Sequence, residues 1–109
     1  MVSIMIKIKL FCAAGFSTSM LVEKMLEVAK EQNLEVDIQA HSHANLRNYI
    51  NDTDVALLGP QVGYALAKAK EVCDPVGLPV EVIPMVDYGT MNGQKVLQFA
   101  LDLYKNKGK

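Results

Sequence analysis

Short apolar runs alternate with amphipathic stretches along this chain, and that alternation restricts the fold more than any single residue does. Ile4 to Phe11 is nearly continuous apolar, interrupted by Lys7 and Lys9 and rich in isoleucine, which predicts a central strand. Leu34 to His41 alternates Leu34, Val36, Ile38 and Ala40 with polar partners, the pattern of a strand with one less buried face. "DVALLG", ending in Gly59-Pro60, and "LPVEVIP", fenced by Pro79 and Pro84, predict two short buried strands. Between them, Ser19 to Glu31 places Leu21, Met25, Val28 and Ala29 at helical spacing, with Asn33 as a stop. A short helix is expected from Asn45 to Ile50. A longer one should run from Pro60 to about Val72, with Val62, Leu66, Ala69 and Cys73 on its apolar face. "DYGTMNG" reads as a loop, and Gly93 to Tyr104 as a last helix that buries Val96, Phe99, Ala100 and Leu103. Strand and helix in strict alternation predict an α/β fold with parallel strands, right-handed crossovers and helices on both faces. Residues 1–109 form one domain without repeats, linkers or low-complexity tracts.

The bulk properties exclude several function classes. A chain of 109 residues with half its side chains apolar can bury roughly 65% of its unfolded surface and needs no metal or disulfide to fold. Eleven basic and 12 acidic residues are interspersed, with no basic stripe and no Trp, which argues against nucleic acid as a partner. The opening "MVSIMIKIKLFCAAG" has the look of a signal peptide with Cys12 as lipid acceptor. Its cations, however, interrupt the apolar core instead of preceding it. No run approaches the ~20 apolar residues that span a bilayer. The chain is therefore expected in the cytoplasm, with Cys12 and Cys73 as reduced thiols.

In such a sheet, ligands bind beyond the carboxyl ends of the strands, where the strand order reverses. Cys12 falls at that end of the first strand; His41, Gly59 to Gln61 and Met85 to Tyr88 fall at the same end of the others. After Cys12 come mostly small residues, Ala13, Ala14, Gly15, Ser17, Thr18 and Ser19, with Phe16 among them. Small side chains let successive amides turn inward, and the following helix adds the positive end of its dipole, so the segment is suited to an anion. A thiol at its mouth feels a field that favours thiolate, and a phosphoryl group on that sulfur would be held by the same donors. Ser17, Thr18 and Ser19 can add hydroxyl donors or cap the helix. A small buried core cysteine remains the alternative reading of Cys12.

Other phosphate and redox motifs fit poorly. There is no Walker G-x-x-x-x-G-K-[ST], no G-x-G-x-x-G after the first strand and no C-x-x-C. The cysteine phosphatases have a similar loop that ends in arginine six residues after the cysteine. Here that position is Thr18, and no Lys or Arg occurs from residue 10 to residue 23. Without a guanidinium the loop lacks the bidentate clamp for attack on a phosphate ester, yet it can still carry a phosphoryl group and pass it on.

"KIKLFCAAGFSTSMLVEKM" resembles the start of enzyme IIB of the bacterial sugar phosphotransferase system, in the lactose, cellobiose and chitobiose class. "ALLGPQVGY" and "VIPMVDYGTMNG" are similar to later segments of that family, so the resemblance covers essentially the whole chain. It implies a four-stranded parallel sheet of order 2-1-3-4, similar to the low-molecular-weight tyrosine phosphatases. It also implies that Cys12 accepts a phosphoryl group from a phosphohistidine of the IIA protein. The group would then pass to sugar, a β-linked disaccharide such as cellobiose, chitobiose or lactose, at the membrane-embedded IIC permease. On that reading the protein is cytoplasmic, visits the inner face of the cell membrane transiently, and uses no cofactor.

The remaining polar residues are weaker candidates. Gln61 and Tyr88 are expected to wall the phosphate pocket, although Gln61 also suits a helix cap and Asp87 to Gly89 suits a turn. Asp87 could act on a proton. His41 and His43 share a strand face if the second strand extends that far, but a metal site needs further ligands, so none is expected. Cys73, near the end of a helix on its apolar face, reads as core.

Overall fold

A computed structural model describes residues 5–13 and 16–106, without the side chains of Phe16 and Ser17. Strand β1 (Ile6–Cys12) leads to helix α1 (Phe16–Glu31), then come β2 (Val36–Ser42), a short helix α2 (Leu46–Tyr49) flanked by 3-10 turns, and β3 (Val55–Leu58). A 3-10 segment, Pro60–Ala65, precedes α3 (Leu66–Cys73); β4 (Val80–Val82), α4 (Met85–Gly89) and α5 (Gly93–Asn106) complete the chain. The sheet order is β2-β1-β3-β4 and every pairing is parallel, as expected from the β-α alternation and the family resemblance.

The period-two alternation of each strand divides the core into two layers. Ile8, Leu10, Ile38, Val55 and Leu57 face α1 and α5, where Leu21, Met25, Val96, Leu97 and Ala100 meet them. Phe11, Ala56, Leu58 and Val80 face the opposite side and pack on Leu46, Val62, Ala69 and Cys73. Helix α1 ends as its sequence suggests. Asn33 adopts a left-handed conformation (φ 55°), Asn33 N–H donates to Lys30 O at 3.2 Å and Leu34 N–H to Ala29 O at 2.9 Å.

Three elements differ from the sequence pattern. Helix α1 begins at Phe16, not Ser19, so Ser17, Thr18 and Ser19 belong to its first turns. The stretch after Pro60 starts as a 3-10 segment with a non-helical Val62 (φ −114°, ψ 24°), and the α-helix proper begins only at Leu66. The expected loop over 87–93 is partly the helix α4, whose five residues are too few to show a helical period.

Lys9 is the unexpected core residue, only 2% exposed in the middle of β1. Its ammonium donates to the Asp52 carbonyl and lies 3.7 Å from Asp52 Oδ2, with the Tyr49 ring 5.8 Å away. The partner thus comes from a 3-10 turn more than forty residues later, and the buried charge is matched.

The two helices on the first layer meet backbone to backbone at Gly93. A Cβ there would lie 2.5 Å from Lys24 C and 2.6 Å from Lys24 O, backbone atoms that no rotamer change can move. Gly93→Ala is expected to push α5 away from α1 and to cost about 1–3 kcal/mol. Denaturant titration will measure this, and an unchanged midpoint would mean that the helices do not touch there.

Candidate functional site

The C-terminal edge of the sheet assembles the site. Cys12 is the last residue of β1, opposite Ser42 of β2, and Phe11 pairs with Leu58 of β3. Only Ala13 to Gly15 separate Cys12 from α1, so the amino end of a 16-residue helix directly follows the thiol. Its first turn carries no acidic residue, leaving the positive end of the dipole unopposed by a local carboxylate. Cys12 is 4% exposed. Ala14 and Gly15 lie outside the described residues, as do the side chains of Phe16 and Ser17; Ala13 and Ser19 are exposed.

Gly59 brings β3 into the site. Its N–H donates to Phe11 O at 2.8 Å, extending the parallel ladder by one residue. A Cβ on Gly59 would lie 3.4 Å from Cys12 Cβ and 3.0 Å from Gln61 Oε1. Both side chains therefore border the same bare patch of backbone. Gln61 also lines a recess of about 440 Å³ with Pro60, Met85, Tyr88, Gly89 and Met91. The two residues expected to wall the pocket thus share one cavity.

Tyr88 reaches further than its neighbours. It is buried on α4, and its Oη shares a 3.3 Å hydrogen bond with Oγ1 of Thr18, which is fully buried on α1. Across 70 residues this bond fixes the first turns of α1 to the segment after β4. The Thr18 hydroxyl is thus engaged with Tyr88, a partner no local sequence signal could supply. Tyr88→Phe leaves that hydroxyl without its buried partner and is expected to cost about 1–3 kcal/mol. Thermal unfolding of Tyr88→Phe beside Thr18→Val/Tyr88→Phe checks this, because the double variant, lacking both polar groups, should recover part of the loss.

The other candidates fall elsewhere. Asp87 sits half-buried on α4, outside the residues lining the recess, and its carbonyl accepts from Asn92 N–H at 2.9 Å. His41 ends up on the α2 side of the sheet, stacked on Tyr49 at 4.0 Å, with Nε2 2.9 Å from Gln39 Oε1. Burial and the Lys9 ammonium hold its imidazole below the ordinary range, which favours the neutral ring. His43 lies beyond the end of β2, edge-on to Tyr64 at 6.3 Å, so the two histidines do not share a strand face. No group of three or more His, Cys, Asp or Glu arranged to hold a metal occurs among the described residues. Cys73 is fully buried, and desolvation together with Asp74 pushes its thiol up to about 11.

The edge also exposes apolar side chains whose exposure the sequence pattern did not foretell. Met85 (75% exposed) and Val86 (74%) stand on α4, and Met20 is exposed on α1. Their signal was "PMV" directly after a strand, two large apolar residues with no strand or long helix to bury them. Such a rim suits docking to other proteins, with methionines able to adapt to more than one surface.

Residues 7–99 match the family model "PTS system, Lactose/Cellobiose specific IIB subunit". The chain is 44% identical over 101 residues to the PTS system galactose-specific EIIB component of Lactococcus lactis subsp. cremoris, covering 88% of this chain and 94% of that protein. It is 43% identical over 101 residues to the cellobiose-specific EIIB component of Lactococcus lactis subsp. lactis, with the same coverage. The solution structure of the cellobiose-specific phosphotransferase IIB component from Borrelia burgdorferi superposes with a TM-score of 0.82 at 40% identity, covering 97% of each chain. No helix among the described residues is long and apolar enough to cross a membrane. With the sheet order, the cysteine at the strand edge and the matched length all in agreement, this chain belongs to the lactose/cellobiose-specific IIB family of the sugar phosphotransferase system.

Proposed function

We propose that Cys12 is the phosphoryl carrier of this IIB component. The thiolate sulfur attacks phosphorus of a phosphohistidine on the IIA protein, the P–N bond breaks, and the histidine leaves as the protein's neutral imidazole once protonated. A sugar hydroxyl at the IIC permease then attacks the same phosphorus. The P–S bond breaks, the thiolate is restored, and the hydroxyl proton passes to a base on the acceptor side. The observation that carries this reading is position: the sulfur stands at the carboxyl edge of a central strand, three residues from the start of a long helix whose first turn has no carboxylate. Charge on the phosphoryl group is then met by main-chain amides of residues 13–19 and by the helix dipole. Gln61 and Tyr88 border the phosphoryl site, Gln61 from across Gly59 and Tyr88 through Thr18.

Hydrolysis is disfavoured in the same geometry. The position a cysteine phosphatase fills with arginine is Thr18, which is buried and bonded to Tyr88, and no cation occurs from residue 10 to residue 23. The phosphoryl group therefore waits for its acceptor instead of being cleaved by water. The sugar is a β-linked disaccharide such as cellobiose, chitobiose or lactose, and the permease selects it, because relatives named for galactose and for cellobiose are equally similar to this chain. The protein works in the cytoplasm and meets the permease at the inner face of the membrane.

Incubation with a phosphorylated IIA protein should place one phosphoryl group on each chain. Adding membranes that contain the permease and sugar should then release it as sugar phosphate. Steady turnover of an aryl phosphate by the isolated protein, with no transfer to sugar, would assign it to the hydrolases instead.

A further inference from the structure

A second cavity, separate from the recess lined by Gln61 and Tyr88, is a groove of about 650 Å³ on the other layer, between α2 and α3, floored by Leu46, Leu58 and Ala69. Its open end reaches the same sheet edge as the thiol. His43, on its wall, follows Ser42, the register partner of Cys12, and Leu58 precedes Gly59, which lies against Cys12. Tyr64 stands at the mouth, 78% exposed, an aromatic side chain of the kind that anchors protein interfaces.

The walls of this groove are more basic than the chain as a whole. Arg47 on α2 and Lys68 on α3 are both exposed, and neither pairs with a carboxylate among the described residues. Glu71 is the single acid in the lining, in a chain whose formal charge is −1. Two unneutralised cations above an apolar floor fit a segment that presents apolar side chains flanked by Asp or Glu.

We propose that this groove docks an acidic, amphipathic segment of the phosphoryl-donating protein, a second contact beside the Cys12 edge; the assignment to the donor rests on the carrier function proposed above. Charge distinguishes the two partners. Cytoplasmic loops of membrane proteins carry an excess of Lys and Arg, so a basic groove repels the permease and leaves the soluble donor as its complement. The groove then sorts two partners that must use one thiol in turn, drawing in the donor without strengthening the contact with the acceptor.

The test is the charge-reversed variant R47E/K68E, whose exposed positions leave the core untouched; circular dichroism and melting confirm the fold. Initial rates of phosphoryl acceptance are measured against donor concentration at low and high salt, followed by transfer from the phosphorylated protein to sugar at permease membranes. The groove predicts a KM for the donor raised about tenfold at low ionic strength, with kcat unchanged and the difference shrinking as salt screens the contact. The permease step should be unchanged or slightly faster. An unaltered KM for the donor overturns the proposal, as does a loss confined to the permease step or a groove shown to be covered by a second copy of this chain. If the wild-type protein accepts no phosphoryl group, the carrier function fails on its own terms. Calorimetric titration of the donor then still decides the groove, supported by weaker binding of R47E/K68E and refuted by equal binding.

Discussion

Cys12→Ser will abolish phosphoryl acceptance, lowering the rate by on the order of a thousandfold or more, while the protein keeps its fold. The difference lies in the atom. A cysteine sulfur ionises within reach of neutral pH and remains strongly nucleophilic, whereas a serine hydroxyl needs a base to remove its proton. Gln61, which borders Gly59 together with Cys12, carries an amide that takes no proton at neutral pH. A phosphoserine, if it formed, would also be a poor donor to sugar, because an alkoxide leaves far less readily than a thiolate. Stability should change by about 1 kcal/mol or less, since one small polarisable group replaces another at the sheet edge. Quantified phosphoryl incorporation beside a melting curve separates loss of chemistry from loss of structure. Wild-type rates in Cys12→Ser would remove the sulfur from the reaction.

The second large effect contrasts the two thiols. Iodoacetamide at pH 7.5 will modify Cys12 at least about a hundredfold faster than Cys73, as followed by peptide mass mapping. Cys73 is fully buried and its thiol is raised to about 11. Fewer than roughly one Cys73 in a thousand is then ionised at that pH, against about one in ten for an ordinary thiol. Inorganic phosphate should retard modification of Cys12 by occupying the same amides, and should leave Cys73 unaffected. Equal rates at the two residues would mean that the strand edge does nothing for its thiol.

Much of this architecture was legible because the strands carry their signal locally. The apolar runs of β1, broken only by Lys7 and Lys9, and of β3 predict buried strands, and the polar alternation of β2 gives it one less buried face, while the sheet order came from the family resemblance. Asn33 announced the end of α1 through its tolerance of left-handed backbone. The start of α1 was not legible, because "STS" has the composition of a loop or cap while its residues occupy helical turns, one of them buried by contact with Tyr88. Tertiary context likewise decides Lys9, a lysine in a strand whose burial depends on Asp52 folding back over it. The site followed the same division. Cys12 could be placed at a strand edge from periodicity alone; strand-end position with the family resemblance pointed to Gln61, and the "DYG" segment at the same sheet end pointed to Tyr88. That a side chain on Gly59 would crowd Gln61 and touch Cys12 is visible only in three dimensions, as are the basic walls of the groove between α2 and α3.

The most direct measurement is the location of the phosphoryl group on protein quenched during transfer from the donor, by fragmentation mass spectrometry under conditions that preserve labile phosphates. Carriage through sulfur predicts one added phosphoryl group per chain, on the peptide containing Cys12 and bonded to its sulfur. The same group found on His41, His43 or any other side chain, with Cys12 unmodified, would contradict it.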